Sequence, residues 1–401
     1  MEQASRCWCG NGDLVPFLPA YQKCSACETL VVTQMPGPGI SRVTNDEQDF
    51  YGRAYWFSYQ ERELGNPNII VRSRTDLPER CLHWLRTVLK YKLPPARVLE
   101  LGSAHGGFVA LLRWAGFEAS GLELSPWAVE LARQTFGVPM LLGPVEDQRI
   151  ESGCLDVIVL MDVLEHLPDP VGTMRHCIEL LKADGILVIQ TPNLPEGKSY
   201  EEMLTQGDRF LELMKERGHL YLFSQRSIRE FFHRLGVEYL AFESAMFADY
   251  DMFLVGSRAP LIVYLPEEIE KSLNATPGGR MVQALLDADT RFQQLAQRYT
   301  ESEADRVARL KVIKQQGEEI AWLHGEVHRR NALEGQLSEL QRQFKVVEAD
   351  RMTVLAMIER QNEEIARLRQ VLQAVQRTRV CQLLRRLGRW KLMDEVDQLV
   401  S

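Results

Sequence analysis

Long apolar runs are missing from this 401-residue chain, so nothing in it is apolar for long enough to span a bilayer. Its N-terminus also lacks the basic start and apolar stretch of a secretory signal, which sets a cytoplasmic expectation. Positive charge is in deficit. The 47 Lys and Arg against 55 Asp and Glu leave a formal charge of -8, and the central region has no basic-aromatic surface motif, so nucleic acid is not expected as a partner. Cysteine is sparse at eight residues, and Cys81, Cys154, Cys177 and Cys381 stand singly among apolar neighbours, as idle or buried thiols do. Glycine and proline nearly vanish beyond about residue 280, where Glu, Arg, Gln and Leu take over in the manner of a long helix. The 45% hydrophobic content still allows a substantial core, over a length that exceeds one average domain.

What is present begins with VLELGSAHGG at residues 98–107, an apolar strand ending in an acid and entering a glycine-rich turn before the helical pattern GFVALLRWAG. Gly102, Gly106 and Gly107 permit a tight turn and close approach to a ligand, and the helix that follows offers free N–H groups. Read as G-x-A-x-x-G, with Ala104 in the middle, the same loop satisfies a dinucleotide fingerprint. Glu100 separates the two ligands: a carboxylate repels a pyrophosphate and attracts the sulfonium and ammonium of S-adenosylmethionine. Glu123, with Leu124 beside it, lies 21 residues after Gly102, where the next strand of a βαβ unit ends and a carboxylate can hold ribose hydroxyls. Glu146 and Asp147 follow the apolar run PMLL and could meet the adenine amino group, although two acids in a polar loop are as readily solvated.

The strand LDVIVLM then reaches DVLEHLPDP, which brings Asp162, Glu165 and His166 beside the same pocket; LKADGILVIQTPN reads as a helix end, a turn and a fifth strand. With these motifs in hand, roughly residues 80 to 257 resemble a class I S-adenosylmethionine-dependent methyltransferase. Ala104 departs from the family, which usually has glycine there. The resemblance implies an α/β, Rossmann-like seven-stranded methyltransferase sheet, with S-adenosylmethionine held by Glu100, Gly102, Ala104, Gly106, Glu123, Leu124, Glu146, Asp147 and Asp162. His166, directly after a strand end, is the candidate base for an acceptor hydroxyl, with Asp162 beside it. His219, with Tyr221 in GHLYLFS, is a second candidate from a later loop; core packing explains these residues equally simply. Tyr51, Tyr55 and Trp56 in DFYGRAYW suit either a lid over the donor or acceptor, or plain packing on the sheet.

The remaining cysteines fall into two close pairs, CWCG at Cys7 and Cys9 and CSAC at Cys24 and Cys27. Four thiolates suit tetrahedral zinc, and so short a segment could not otherwise build a core, so the expectation is a zinc ribbon. A disulfide pair is disfavoured in a reducing compartment, and the first pair is one residue tighter than the usual knuckle. Bacterial sugar methyltransferases of polysaccharide clusters resemble this layout, and in them the metal is structural. From that resemblance come a saccharide or other small-molecule acceptor, and contact with a glycosyltransferase or the inner-membrane surface.

The C-terminal third contains a repeat: residues 304–323 match 349–368 at 11 of 20 positions, an offset of 45. Between 333 and 375 a 4-3 spacing of core positions is apolar except at Arg351 and Gln361, which predicts a coiled coil with a stammer near Val327. Self-association covers such a stripe most simply; a break near Gly325 or Gly335 would permit a hairpin instead. Residues 376–391 carry six Arg and Lys and no acid, interleaved with apolar residues, as in a helix for an anionic membrane face or a partner enzyme, or a closing helix with a solvated basic side. The expected organisation is therefore 1–40 zinc-ribbon-like knuckle, 41–80 aromatic lid and linker, 81–260 methyltransferase domain, 261–303 helical linker, 304–375 coiled coil and 376–401 basic tail. A scaffold with a non-catalytic methyltransferase fold, organising glycosyltransferases through its coiled coil, is the alternative from another class; a nicotinamide dehydrogenase is disfavoured by Glu100.

Overall fold

Apolar runs bounded by turn residues become strands throughout the first unit, Met1–Ala296, of this computed structural model, which describes residues 6–37, 40, 42–63 and 65–387. Three short strands come first: β1 (Leu14–Leu18), β2 (Tyr21–Cys24) and β3 (Leu30–Val32). After helix α1 (Asp76–Tyr91), strand and helix alternate as β4 (Arg97–Leu101), α2 (Gly107–Ala115), β5 (Glu118–Glu123), α3 (Pro126–Phe136), β6 (Met140–Leu142), β7 (Leu155–Met161), α4 (Pro170–Leu180) and β8 (Leu181–Pro192). Then come β9 (Tyr221–Leu222), α5 (Gln225–Arg234), β10 (Tyr239–Glu243) and β11 (Asp251–Ser257).

A seven-stranded mixed sheet, the strand number expected from the sequence, has the order β10-β11-β8-β7-β4-β5-β6. From β6 to β8 the pairings are parallel, and β11 runs antiparallel to both of its neighbours. The central strands are apolar on both faces because helices cover both. Val98, Val157, Val159 and Val188 point into one buried cluster, while Leu99, Leu101, Ile158, Leu160 and Ile189 point into the other. Each such side chain contributes about 1.5–3 kcal/mol by leaving water. Local signals fix the helix starts: Ser125 caps α3 by accepting from Ala128 N–H at 3.3 Å, Asp169 caps α4 through Gly172 N–H at 2.9 Å, and a proline follows each cap.

One local expectation is corrected. The KADG segment, read as a turn before the fifth strand, lies inside β8, and the register with β7 shifts between Leu155 and Val157. The residues are absorbed as an irregularity in the strand rather than excluded from it.

The second sheet, β1-β2-β3-β9, is antiparallel and joins the N-terminal segment to a strand nearly 200 residues later. Leu30 pairs with Leu222 and Val31 with Tyr221, and Leu30, Val31 and Cys24 share a buried cluster with Phe223 and Phe231.

Helices α6 (Pro266–Leu273), α7 (Pro277–Gln376) and α8 (Arg379–Arg386) end the described chain. Within the first unit, α7 buries Val282 and Leu286, and Arg86 donates to Leu286 O at 2.6 Å and Asp289 Oδ2 at 2.9 Å. The second unit starts at Gln297. No helix break falls at Gly325 or Gly335, so the hairpin alternative is not formed. Among the described residues no helix is long and apolar enough to cross a membrane. Residues 388–401 of the basic tail, with Arg389, Trp390 and Lys391, lie outside the described residues, as do Pro38 and Gly39 of the linker before the aromatic segment.

Candidate active site

The carboxyl ends of β4, β5 and β7 open onto one cavity of about 430 Å3, the place where doubly wound sheets hold ligands. Gly102, Glu123, Leu124, Glu146, Asp147, Asp162 and His166 line it, so most of the sequence-predicted residues converge there. Tyr51, Tyr55 and Trp56 line it as well.

The glycine-rich turn works through left-handed backbone. Gly102, Ala104 and Gly106 have φ of 68°, 46° and 77°. At Ala104, where the family usually has glycine, the methyl is accommodated at a backbone cost of about 1–2 kcal/mol. Its N–H donates to Glu123 Oε2 at 3.0 Å, while Glu123 Oε1 accepts from Leu124 N–H at 2.8 Å and Ser125 N–H at 3.1 Å. Glu123 is thereby fixed in orientation at the end of β5. Burial raises its pKa, opposed by these three N–H groups.

Glu100 is 4% exposed and stands behind the loop rather than on the cavity lining, with Oε2 buried and unpartnered. Burial, then Glu123, push its pKa up to about 8. Glu146 accepts from Thr173 Oγ1, and Asp147 forms an ion pair with Arg42, itself on the lining. Asp162 has φ of 57°; its Oδ1 accepts from Gln190 Nε2 at 2.9 Å and its Oδ2 lies 3.7 Å from Arg80 Nη1. Arg42 and Arg80 carried no sequence signal. Gln190 did carry one, as a polar residue near the carboxyl end of an otherwise apolar strand.

His166 and His219 come together with their rings 4.9 Å apart, although 53 positions separate them. His166 Nδ1 donates to Gly218 O at 2.8 Å, and His219 Nδ1 donates to Leu213 O at 2.6 Å. A carbonyl can only accept, so both neutral rings carry their proton on Nδ1 and keep Nε2 as a lone pair. Burial lowers both pKa values, that of His219 to about 3 with His166 adding to the effect. Glu165 Oε1 lies 3.9 Å from His166 Nε2, and its Oε2 accepts from Thr191 Oγ1 at 2.9 Å. Burial and Asp162 raise the Glu165 pKa well above the carboxylate range. Tyr221 is buried in β9 against Phe223 and does not line the cavity.

At the N-terminus Cys7, Cys9, Cys24 and Cys27 gather with their sulfurs within 4.8 Å of one another. Cys7 and Cys27 Sγ are 3.4 Å apart and Cys9 and Cys24 Sγ 3.6 Å, much longer than a disulfide. A tetrahedral zinc with bonds of about 2.3 Å needs sulfur separations near 3.8 Å, so the donor set fits that ion. Asn11 Nδ2 reaches Cys24 Sγ at 3.5 Å, and the Cys27 thiol faces Thr29 Oγ1 at 3.3 Å.

Residues 73–241 match the family model described as a methyltransferase domain. The chain thus contains a class I S-adenosylmethionine-dependent methyltransferase domain. Its curated relatives include the ubiquinone biosynthesis O-methyltransferase of Xanthomonas campestris pv. campestris (strain B100), 33% identical over 130 residues that cover 29% of this chain and 54% of the relative. The chain therefore spans about half the length of the curated relatives it matches. Similar solved structures include an S-adenosylmethionine-dependent methyltransferase of Thermotoga maritima (17% identity, TM-score 0.36, covering 48% of this chain and 96% of that one). A Pyrococcus horikoshii OT3 protein is similar at 18% identity and TM-score 0.38, covering 51% and 97%.

Proposed function

We propose that the chain transfers a methyl group from S-adenosylmethionine to a hydroxyl of a ring-bearing small-molecule acceptor. The observation that carries this reading is one cavity bordered by the oriented Glu123 carboxylate and by His166, whose Nε2 is free to take a proton. Glu123, Gly102, Leu124 and Asp162 would hold the donor, with the Glu100 carboxyl behind the loop gaining its charge only as the bound cation opposes the burial that raises its pKa, and Glu146 or Asp147 at the adenine end. When bound, the donor supplies an electrophilic methyl carbon. That carbon would be taken by the acceptor oxygen with the sulfur as leaving group, and His166 Nε2 would receive the hydroxyl proton. A ring kept neutral by burial is ready for that proton at pH 7. His219 and Asp162 act as its neighbours, and holding the reactants in line supplies most of the rate.

The aromatic wall of Tyr51, Tyr55 and Trp56 suits the flat face of a phenol or a sugar ring. O-Methylation of a small molecule is what the curated relatives' name describes; a saccharide acceptor, with glycosyltransferase or inner-membrane contact through the basic tail, rests on the cysteine-knuckle layout. Cys7, Cys9, Cys24 and Cys27 would hold one structural zinc, and residues 304–375 would associate with a second copy. Calorimetry with the donor, followed by labelled-methyl transfer to phenolic and nucleotide-sugar acceptors, tests the reading. Donor binding at micromolar concentration and a hydroxyl-methylated product support it; a folded protein that binds no donor overturns it.

A further inference from the structure

The core positions of α7 from Leu333 to Val375 leave their apolar side chains 46–69% exposed, with Leu372 half-buried. So continuous a stripe of exposed Leu, Ile, Val and Phe at 4-3 spacing needs an apolar partner along its length. We propose that this segment pairs antiparallel with a second copy of itself about a two-fold axis beside Ala356, a refinement that rests on the self-association proposed above.

The positions of the two polar core residues carry the argument. In the 4-3 spacing Leu337, Phe344, Arg351, Ile358, Ile365 and Leu372 occupy one seam position, a, and Leu333, Leu340, Val347, Val354, Gln361, Leu368 and Val375 the other, d. A parallel, in-register pair would set Arg351 against Arg351 of the second copy, two like charges in one apolar layer. An antiparallel pair sets a against d. About residue 356, side chains equally far on either side of that point share a layer. Arg351 then meets Gln361, each five residues from the axis, and the two polar positions satisfy one another twice. Every other layer from Leu337 to Val375 pairs apolar with apolar: Val354 with Ile358, Val347 with Ile365, Phe344 with Leu368, Leu340 with Leu372, and Leu337 with Val375, while the counterpart of Leu333, Arg379, lies beyond the end of α7. Sliding the register by a heptad in either direction separates Arg351 from Gln361 and puts each against an apolar side chain.

The flanking positions agree. Leu355 and Met357 are apolar residues beside the seam, 45% and 58% exposed. In the antiparallel arrangement like flanks face each other, so Leu355 lies against its own copy, as does Met357. A parallel pair would set Leu355 against Asp350 and Met357 against Asn362. Asp350 and the second copy's Glu364 do approach one another, but they flank the Arg351 layer, whose guanidinium already pairs with Glu348 at 3.0 Å and supplies the positive charge between them.

Cysteine cross-linking in the full chain reads the orientation directly. Under mild oxidation Arg351→Cys/Gln361→Cys should give a disulfide-linked dimer on a non-reducing gel. Arg351→Cys alone and Gln361→Cys alone should give no more than the wild type, because identical positions would lie about 15 Å apart along the axis. Light scattering of the wild type should give twice the 46.0 kDa chain mass. Efficient linkage of either single variant would overturn the antiparallel pairing in favour of a parallel one, and so would a dimer whose double variant does not link. A mass of four chains would overturn the two-stranded form. A monomeric wild type would overturn the self-association itself, while leaving the methyltransferase reading untouched.

Discussion

Replacing Glu123 by Gln tests the donor site most directly, because the structure says how much of that carboxylate is already committed. Three backbone N–H groups, of Ala104, Leu124 and Ser125, point at its two oxygens. A carboxylate offers about four lone-pair directions, so about one well-directed site remains for a ribose hydroxyl. A hydrogen bond to a charged acceptor contributes about 1.5–3 kcal/mol, which is roughly a 10- to 150-fold loss of donor affinity when the charge is removed. The amide also turns an NH2 towards at least one backbone N–H that it cannot accept from, so some loss of stability should accompany the weaker binding. Glu123→Ala is the poorer test: it strands three buried donors, each costing about 1–3 kcal/mol, and confuses binding with folding. Calorimetry with S-adenosylmethionine and a thermal melt of the same Glu123→Gln sample give both quantities. Wild-type affinity together with a wild-type melt would refute the assignment of Glu123 as the ribose ligand.

Three further outcomes are expected. Glu100, held near pH 8 by burial against an ordinary 4.5, stabilises the ligand-free fold below pH 4.5 and loses that contribution as the pH rises through 8, by about 1.4 kcal/mol per unit in between; urea unfolding at pH 5 and 8 should show this fall, less steeply in Glu100→Gln, and identical profiles for the two proteins would reject it. His166→Asn should lower turnover about 100- to 10,000-fold with donor affinity retained; stopped or steady-state methyl transfer that proceeds at the wild-type rate would remove His166 from the chemistry. Cys24→Ser should reduce bound zinc below one equivalent and speed hydrogen exchange in β2 and β3, while a wild type that purifies folded and free of metal would exclude the zinc ribbon.

The central sheet was legible because each strand is an apolar run closed by a glycine turn or a capped helix, and Ser125, Asp169 and the prolines after them mark the helix starts in the sequence. The cavity was legible for the same reason: strand ends are fixed by the strands, so Glu123 and Asp162 could be placed without knowing their contacts. What escaped were contacts made across long sequence separations by residues with no periodic signal. Arg42 reaches Asp147, Arg80 reaches Asp162, and a strand of two residues, Tyr221–Leu222, is too short to show any alternation. Glu100 was read from its charge, yet its position behind the loop and the raised pKa depend on burial by neighbours that no local pattern reveals.

That two-residue strand gives the cysteine cluster a consequence beyond its own segment. β3 pairs with β9, Val32 N–H donates to Leu220 O at 3.0 Å, and Tyr21 Oη donates to His219 O at 2.8 Å. On the other side Leu220 N–H donates to Glu165 O at 2.7 Å, and Gly218 O accepts from His166 Nδ1. The run from Gly218 to Leu222 is thus clamped between the N-terminal sheet and the segment carrying Glu165 and His166. It sets the tautomer of His166 through a carbonyl whose position the clamp fixes, and a ring that lost this carbonyl could expose either nitrogen to the cavity. The segment has few means of holding itself: β1, β2 and β3 are five, four and three residues long, and Cys7, Cys24 and Cys27 supply much of its buried interior. Four sulfurs drawn to one ion would stiffen these short strands, and that stiffness would be felt two hydrogen bonds away at the proposed base.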